Sequence, residues 1–180
     1  VGIEEQILQD IKNGKKEAKR RLYDRYSGMA MSVCMRYMGN RDDAADVLQD
    51  VFIKVLTRVG EIGYRGEGTL RSWILRVAVN ESLNALRNQK HFDDAETLTD
   101  VHEEEEPDVG KVPLDVLMNF IARLPDGYRT VFNMFVMERM GHKEIARQLG
   151  IGVSSSASQL LRAKRILARE INEYIKQTEG

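Results

Sequence analysis

Apolar residues recur at three- and four-residue steps through most of the chain, with polar residues filling the positions between. Leu22, Tyr26, Met29, Ala30 and Val33 keep that spacing, which predicts an amphipathic helix. Gly39 and Asn40 interrupt it, and Asp42 reads as the cap of a second helix carrying Ala45, Leu48, Val51, Phe52 and Val55 on one side. Gly60, Gly63, Gly66 and Gly68 then crowd into a span that no regular helix tolerates, so a loop is expected. A third long helix is expected from about Thr69, through Trp73, Ile74, Val77, Ala78, Leu83 and Leu86, to about Lys90. Farther on, Pro113 suits a helix start and Leu114, Leu117, Met118 and Ile121 supply its stripe. Pro125 and Gly127 break that helix, and further helical segments are expected at Tyr128 to Met137, His142 to Leu149 and about Ser154 to Ile175. No strand alternation of useful length and no internal repeat is present.

Composition narrows the class. The chain has 180 residues, 42% hydrophobic and 31% charged, with three prolines, which describes a soluble, helix-rich protein and leaves room for two small cores. No run approaches the roughly 18 apolar residues of a membrane span. The first ten residues lack the basic-then-apolar order of a signal peptide, so a cytoplasmic protein without membrane insertion is expected. Cys34 is the only cysteine; it has no disulfide partner, and its apolar surroundings point to a buried small hydrophobe.

Charge changes the picture more. Nine acids, Asp93, Asp94, Glu96, Asp100, Glu103, Glu104, Glu105, Glu106 and Asp108, occur between Phe92 and Gly110 without a Lys or Arg. The formal net charge is −1, so those nine acids leave +8 on the rest of the chain. The pattern predicts an all-α protein: two small helical domains, 1–91 and 113–180, joined by an acidic flexible linker, 92–112. Both domains are basic enough to meet a polyanion.

The second domain carries a helix-turn-helix signal. Ala146 precedes Gly150 by four positions: the small side chain lets two helices cross closely, and the glycine permits the turn. Ile145, Leu149 and Ile151 close the core under it. The next helix opens on Ser154, Ser155 and Ser156, which offer an N-cap and hydroxyls for phosphates. It continues through Ser158, Gln159, Arg162, Lys164, Arg165 and Arg169 with no acid before Glu170. Ordinary helical hairpins share the Ala-to-Gly spacing; the serines and the acid-free basic stretch favour a helix that enters a major groove.

Longer stretches resemble a known family. Leu124-Pro125-Asp126-Gly127-Tyr128-Arg129-Thr130-Val131-Phe132, His142-Lys143-Glu144-Ile145-Ala146, Leu149-Gly150-Ile151 and Ser158-Gln159-Leu160-Leu161-Arg162-Ala163-Lys164 resemble the minus-thirty-five-binding domain of extracytoplasmic-function sigma factors. Leu22 to Tyr26, Asp42 to Phe52 and Leu70 to Asn80 resemble the family's other domain. The resemblance implies a non-enzymatic initiation factor without cofactor or metal, which binds core RNA polymerase and promoter DNA and helps open it. Asp46, Gln49, Asp50, Phe52 and Lys54 would then dock on the polymerase. Arg65, Arg71, Trp73, Arg76, Asn80, Asn84 and Arg87 would read and melt the minus-ten element, with Lys90 touching the duplex upstream. There a flexible glycine-rich loop against a rigid helix would hold an unstacked base. Lys143, Ser154, Ser155, Ser158, Gln159, Arg162 and Arg165 would bind the minus-thirty-five element. Family members are commonly held by an anti-sigma factor, so such a partner is implied. Ser154 and Ala157 depart from the glycine and basic residue frequent in the family, which alters the phosphate contacts or the bases preferred.

Two other classes remain for comparison. A stand-alone helix-turn-helix regulator would bind duplex DNA without polymerase. A metal-dependent nuclease or phosphohydrolase would need a fixed ligand set, whereas His91, His102 and His142 are far apart in sequence and the densest acids lie in the linker.

Overall fold

The computed structural model describes residues 1–89 and 102–180. Lys90, His91 and the acids Asp93, Asp94, Glu96 and Asp100 lie outside the described residues. The chain divides into two units, Val1–Leu86 and Arg87–Gly180, and the described residues contain helices and turns but no strand.

In the first unit α1 (Ile3–Lys12) buries Glu4, Ile7 and Leu8, and α2 (Lys16–Met38) buries Leu22, Tyr26, Ala30 and Val33 as the spacing requires. Gly39 stops α2 in the left-handed conformation, φ 77°, and its N–H bonds the Met35 carbonyl, a termination that glycine makes without strain. The cap of α3 (Arg41–Arg58) is Asn40, not Asp42. Asn40 Oδ1 accepts from the Asp43 N–H at 2.9 Å, and Asn40 Nδ2 donates back to the Asp43 carboxylate at 2.7 Å, a reciprocal box that fixes the turn. The buried face of α3 is Ala44, Val47, Val51, Phe52 and Val55, so the expected stripe is rotated: Ala45 is exposed and Leu48 only partly buried. After the glycine-rich loop, α4 (Thr69–Gln89) buries Leu70, Ile74, Leu83 and Leu86; Tyr37, Val51 and Val55 are buried as well, and Cys34 is at 0% exposure. Side chains of this kind contribute roughly 1.5–3 kcal/mol each on burial.

In the second unit α5 (Leu114–Ala122) follows Pro113, and α6 (Asp126–Phe132) follows Pro125. The break between them therefore precedes Asp126, and Gly127 is helical. A wide π turn, Asn133–Met137, extends α6; it closes with the Glu138 N–H bonding the Asn133 carbonyl at 3.1 Å. Then come α7 (His142–Leu149) and α8 (Val153–Glu179). Phe120, Ile121, Leu124, Tyr128, Ala163, Leu167 and Ile171 form the core, and Val112 belongs to it. The end of the acidic segment is accordingly attached to this unit: Asn172 donates to the Glu105 carbonyl at 3.0 Å, and Lys111 pairs with Glu179 at 2.8 Å. The expected linker boundary at 112 thus falls within the packing of the second unit, because Val112 gains more by burial than a free tether would.

Candidate nucleic-acid and docking surfaces

On α4, Trp73, Arg76, Asn80, Asn84 and Arg87 follow one another at steps of three and four. At 3.6 residues per turn they fall within an arc of about 80° and extend about 20 Å along the helix. Arg76, Asn80, Asn84 and Arg87 are exposed and Trp73 partly so, while the opposite side of the helix is core. The sequence-predicted minus-ten residues are therefore gathered into a single ridge, with two exceptions. Arg71, though exposed, starts the helix on the other side, and Arg65 lies in the loop. The loop itself is folded: Thr69 Oγ1 donates to the Gly66 carbonyl at 2.7 Å and accepts from the Arg65 N–H at 3.2 Å.

On α3, Asp46, Gln49 and Asp50 are exposed on a common side. Phe52, expected among them as the apolar contact, is 4% exposed and packs edge-on to Tyr23, ring centroids 4.8 Å apart, so it serves the core. Ile53, which the sequence reading passed over, is 66% exposed and sits between Gln49 and Asp50 in helical projection. It is the apolar centre of that face. Lys54 is turned to α4, where its ammonium pairs with Glu81.

In the second unit α7 and α8 meet at a tight turn. Gly150 takes φ 68°, ψ 34°, and the Ile151 N–H bonds the Ala146 carbonyl at 3.1 Å, so both residues singled out by spacing shape the turn. Ser154, Ser158, Arg162, Arg165 and Arg169 lie within about 80° of one another on α8. Ser154, Ser158 and Arg169 are exposed, and Arg162 and Arg165 partly exposed. Leu161, 50% exposed, borders them as an apolar contact that the reading missed. Lys143 is exposed in the first turn of α7, where a cation opposes the helix dipole and is better placed to meet a phosphate. Ser155 and Gln159 flank the ridge, and Gln159 leans over Gly127 so closely that a Cβ there would lie 2.5 Å from its Oε1.

Ser156 departs from the serine-run expectation. It is fully buried, its hydroxyl 2.8 Å from His142 Nδ1, and the N-cap of α8 is Gly152, with no side-chain cap and no acid in the first turn. His142 stacks on Phe135, centroids 4.6 Å apart, and the Lys164 ammonium lies 5.9 Å from the centroid of the same Phe135 ring. Glu144 bonds Arg147 at 2.6 Å and Gln148 at 2.7 Å; the Arg147 guanidinium holds its carboxyl below the usual range. Among the described residues no group of His, Cys, Asp and Glu is assembled to hold a metal ion, and no helix is long and apolar enough to cross a membrane.

Comparison with known proteins assigns both units. Residues 22–92 match Sigma-70 region 2, and residues 114–167 match Sigma-70, region 4. The ECF RNA polymerase sigma-E factor of Haemophilus influenzae is 25% identical over 92% of this chain and 93% of its own length. The ECF RNA polymerase sigma factor SigW of Bacillus subtilis is 24% identical over 92% and 95%. A solved structure, CnrH in complex with the cytosolic domain of CnrY, is 20% identical with a TM-score of 0.46, covering 93% of this chain and 96% of that one. A stand-alone helix-turn-helix regulator is not favoured. With regions 2 and 4 matched in order on the two units that carry these helices, the chain belongs to the extracytoplasmic-function sigma factors of the sigma-70 family, transcription initiation factors that bind core RNA polymerase and promoter DNA.

Proposed function

We propose that the α3 face centred on Ile53, with Asp46, Gln49 and Asp50 around it, docks on core polymerase, and that Lys54 braces it through Glu81. Domain 1–91 then presents the α4 ridge and the glycine-rich loop to the separated minus-ten strand, and domain 113–180 presents α8 to the minus-thirty-five duplex. The observation that carries this reading is the alignment of Trp73, Arg76, Asn80, Asn84 and Arg87 on one accessible ridge above a packed core. Such a ridge offers an aromatic for stacking, amides for base edges and guanidinium groups for phosphates, the mixture that single strands require. The α8 ridge is hydroxyl-rich and cationic, which suits phosphates and base edges of intact duplex.

Nucleotide addition belongs to the polymerase, and the chain itself works in the cytoplasm without catalysis or cofactor. An anti-sigma partner that covers the docking face would keep it inactive.

Run-off transcription with purified core enzyme tests the reading. Initiation from specific promoters should appear only when this protein is added. Arg162→Ala should weaken binding to upstream duplex, by about 1–3 kcal/mol if the guanidinium reads a base. Asn80→Ala should impair strand opening at unchanged polymerase affinity. Unchanged start-site choice in the presence of the protein would refute the proposal.

A further inference from the structure

The loop that faces the minus-ten strand contains glycines at φ 123° (Gly66) and 93° (Gly68), conformations that leave other residues strained. Glycine also loses the most conformational freedom on ordering, so a loop of this composition does not hold one shape by itself. Besides the bonds that Thr69 makes within it, the loop is held from outside by α1.

At the entry to the loop, Lys12 Nζ donates to the Ile62 carbonyl at 3.2 Å. In the middle, Gly2 lies so close to the Glu67 carboxylate that a Cβ would overlap it, and the Tyr64 hydroxyl reaches the same carboxylate at 3.5 Å. At the exit, Glu4 is 3% exposed and its carboxylate accepts from three backbone N–H groups, one just before α4 and two in its first turn. Those are Gly68 at 2.9 Å, Leu70 at 3.3 Å and Arg71 at 3.1 Å, while the Tyr26 hydroxyl donates to it at 3.0 Å. No acid stands in the first turn of α4, and Thr69, its first residue, is engaged with the loop. Glu4 therefore supplies from another helix both the missing cap and the negative charge that a helix N-terminus favours. The loop is laid along α1 from Lys12 to Glu4.

We infer that α1 is a positioning element of the minus-ten reader, with Glu4 and Lys12 as its positioning residues, although it lies outside both stretches matched by the family descriptions, 22–92 and 114–167. The inference rests on the proposed role of the loop and the α4 ridge. An unstacked base is retained only when the surface receiving it is already formed, because ordering the loop during capture would subtract from the binding that offsets unstacking. Neither residue touches DNA. They act through the loop.

The test uses full-length protein assembled with core polymerase and two probes. One is a labelled single strand carrying the non-template minus-ten sequence of a promoter that the wild-type holoenzyme transcribes. The other is a duplex carrying only its upstream minus-thirty-five region. Glu4→Gln preserves shape but turns part of the acceptor into a donor that faces backbone N–H groups. It should weaken single-strand binding by about tenfold, and Lys12→Met, which frees the loop entry, by about threefold. Duplex and polymerase affinities should stay within about twofold for both variants, a split that general destabilisation would not give. If Glu4→Gln fails to fold, Lys12→Met decides, because its side chain is exposed and outside the core. Unchanged single-strand binding by Lys12→Met, or equal loss on both probes, would overturn the inference while leaving the function standing. Failure of the wild-type holoenzyme to retain the single strand would overturn both.

Discussion

Truncating Ile53 should separate docking from folding. Full burial of an isoleucine side chain is worth roughly 1.5–3 kcal/mol. Because Ile53 is 66% exposed, about two thirds of that, roughly 1–2 kcal/mol, is still available to a partner. Ile53→Ala removes most of this, and since 1.4 kcal/mol is a factor of ten, polymerase affinity should fall about five- to tenfold. Folding should barely respond, by less than about 0.5 kcal/mol, as for other surface substitutions. Phe52→Ala, one residue away, should do the reverse: at 4% exposure its loss empties core volume and costs about 3–5 kcal/mol of stability. Competition against labelled wild-type protein for core polymerase gives the affinities, and urea unfolding gives the stabilities. If Ile53→Ala binds within twofold of wild type, or if Phe52→Ala folds as stably as wild type, the assignment of the two side chains is refuted.

Three further outcomes follow from the geometry. Asp10 bonds Lys15 and Arg21, chiefly Lys15, and these hold its carboxyl at about 2 against the usual 3.8, so its contribution to stability is full above pH 4 and is lost as pH falls from there to about 2. The difference in unfolding free energy between wild type and Asp10→Asn should shrink over that window, and a difference independent of pH would contradict the pairing. Burial pushes the Cys34 thiol up to about 11, with the Ser82 hydroxyl beside it opposing the shift. At pH 8 only roughly one thiol in a thousand is thiolate, so disulfide reagents should label it only after urea unfolding, and rapid labelling of native protein would exclude the packed site. Gly150→Ala forces a Cβ into φ 68° with no neighbour in the way, so backbone strain alone should cost about 1–2 kcal/mol. Gly150→Asn, which tolerates that conformation, should cost less in the same urea experiment; equal losses would point to another cause.

Helical periodicity carried most of the architecture, and its failures have identifiable causes. In α3 the adjacent pairs Ala44-Ala45 and Val47-Leu48 satisfy the three- and four-residue rule in two registers. Only packing within the unit selects Ala44 and Val47. The same ambiguity set the buried Phe52 among the docking residues in place of the exposed Ile53, now the centre of the proposed docking face. Glu4 was invisible to a search for apolar stripes because an acid occupies the stripe position ahead of Ile7 and Leu8; its use depends on helix α4, more than 60 residues away. In the serine run, composition treats Ser154, Ser155 and Ser156 alike, and it takes His142 to draw the third inward. The α4 ridge was legible because its residues share one helix, whose geometry is fixed once the helix forms.

The two helices proposed to face nucleic acid, α4 and α8, treat their N-termini in opposite ways, and the difference matches what each would read. The start of α4 is already occupied: the Glu4 carboxylate takes its leading N–H groups, so a phosphate arriving there would meet a buried negative charge. That helix must therefore bind along its side, which is where Trp73, Asn80 and Asn84 lie, and it must be firm before a strand separates. The start of α8 has neither a side-chain cap nor an acid in its first turn. On the proposed reading, a phosphate arriving there beside the Ser154 hydroxyl would complete the helix as it binds, and an intact duplex, whose backbone geometry is regular, would present one without first being deformed. Pre-paid order on one helix and order completed by the ligand on the other is the division expected of a protein that must recognise paired DNA before it can hold unpaired DNA.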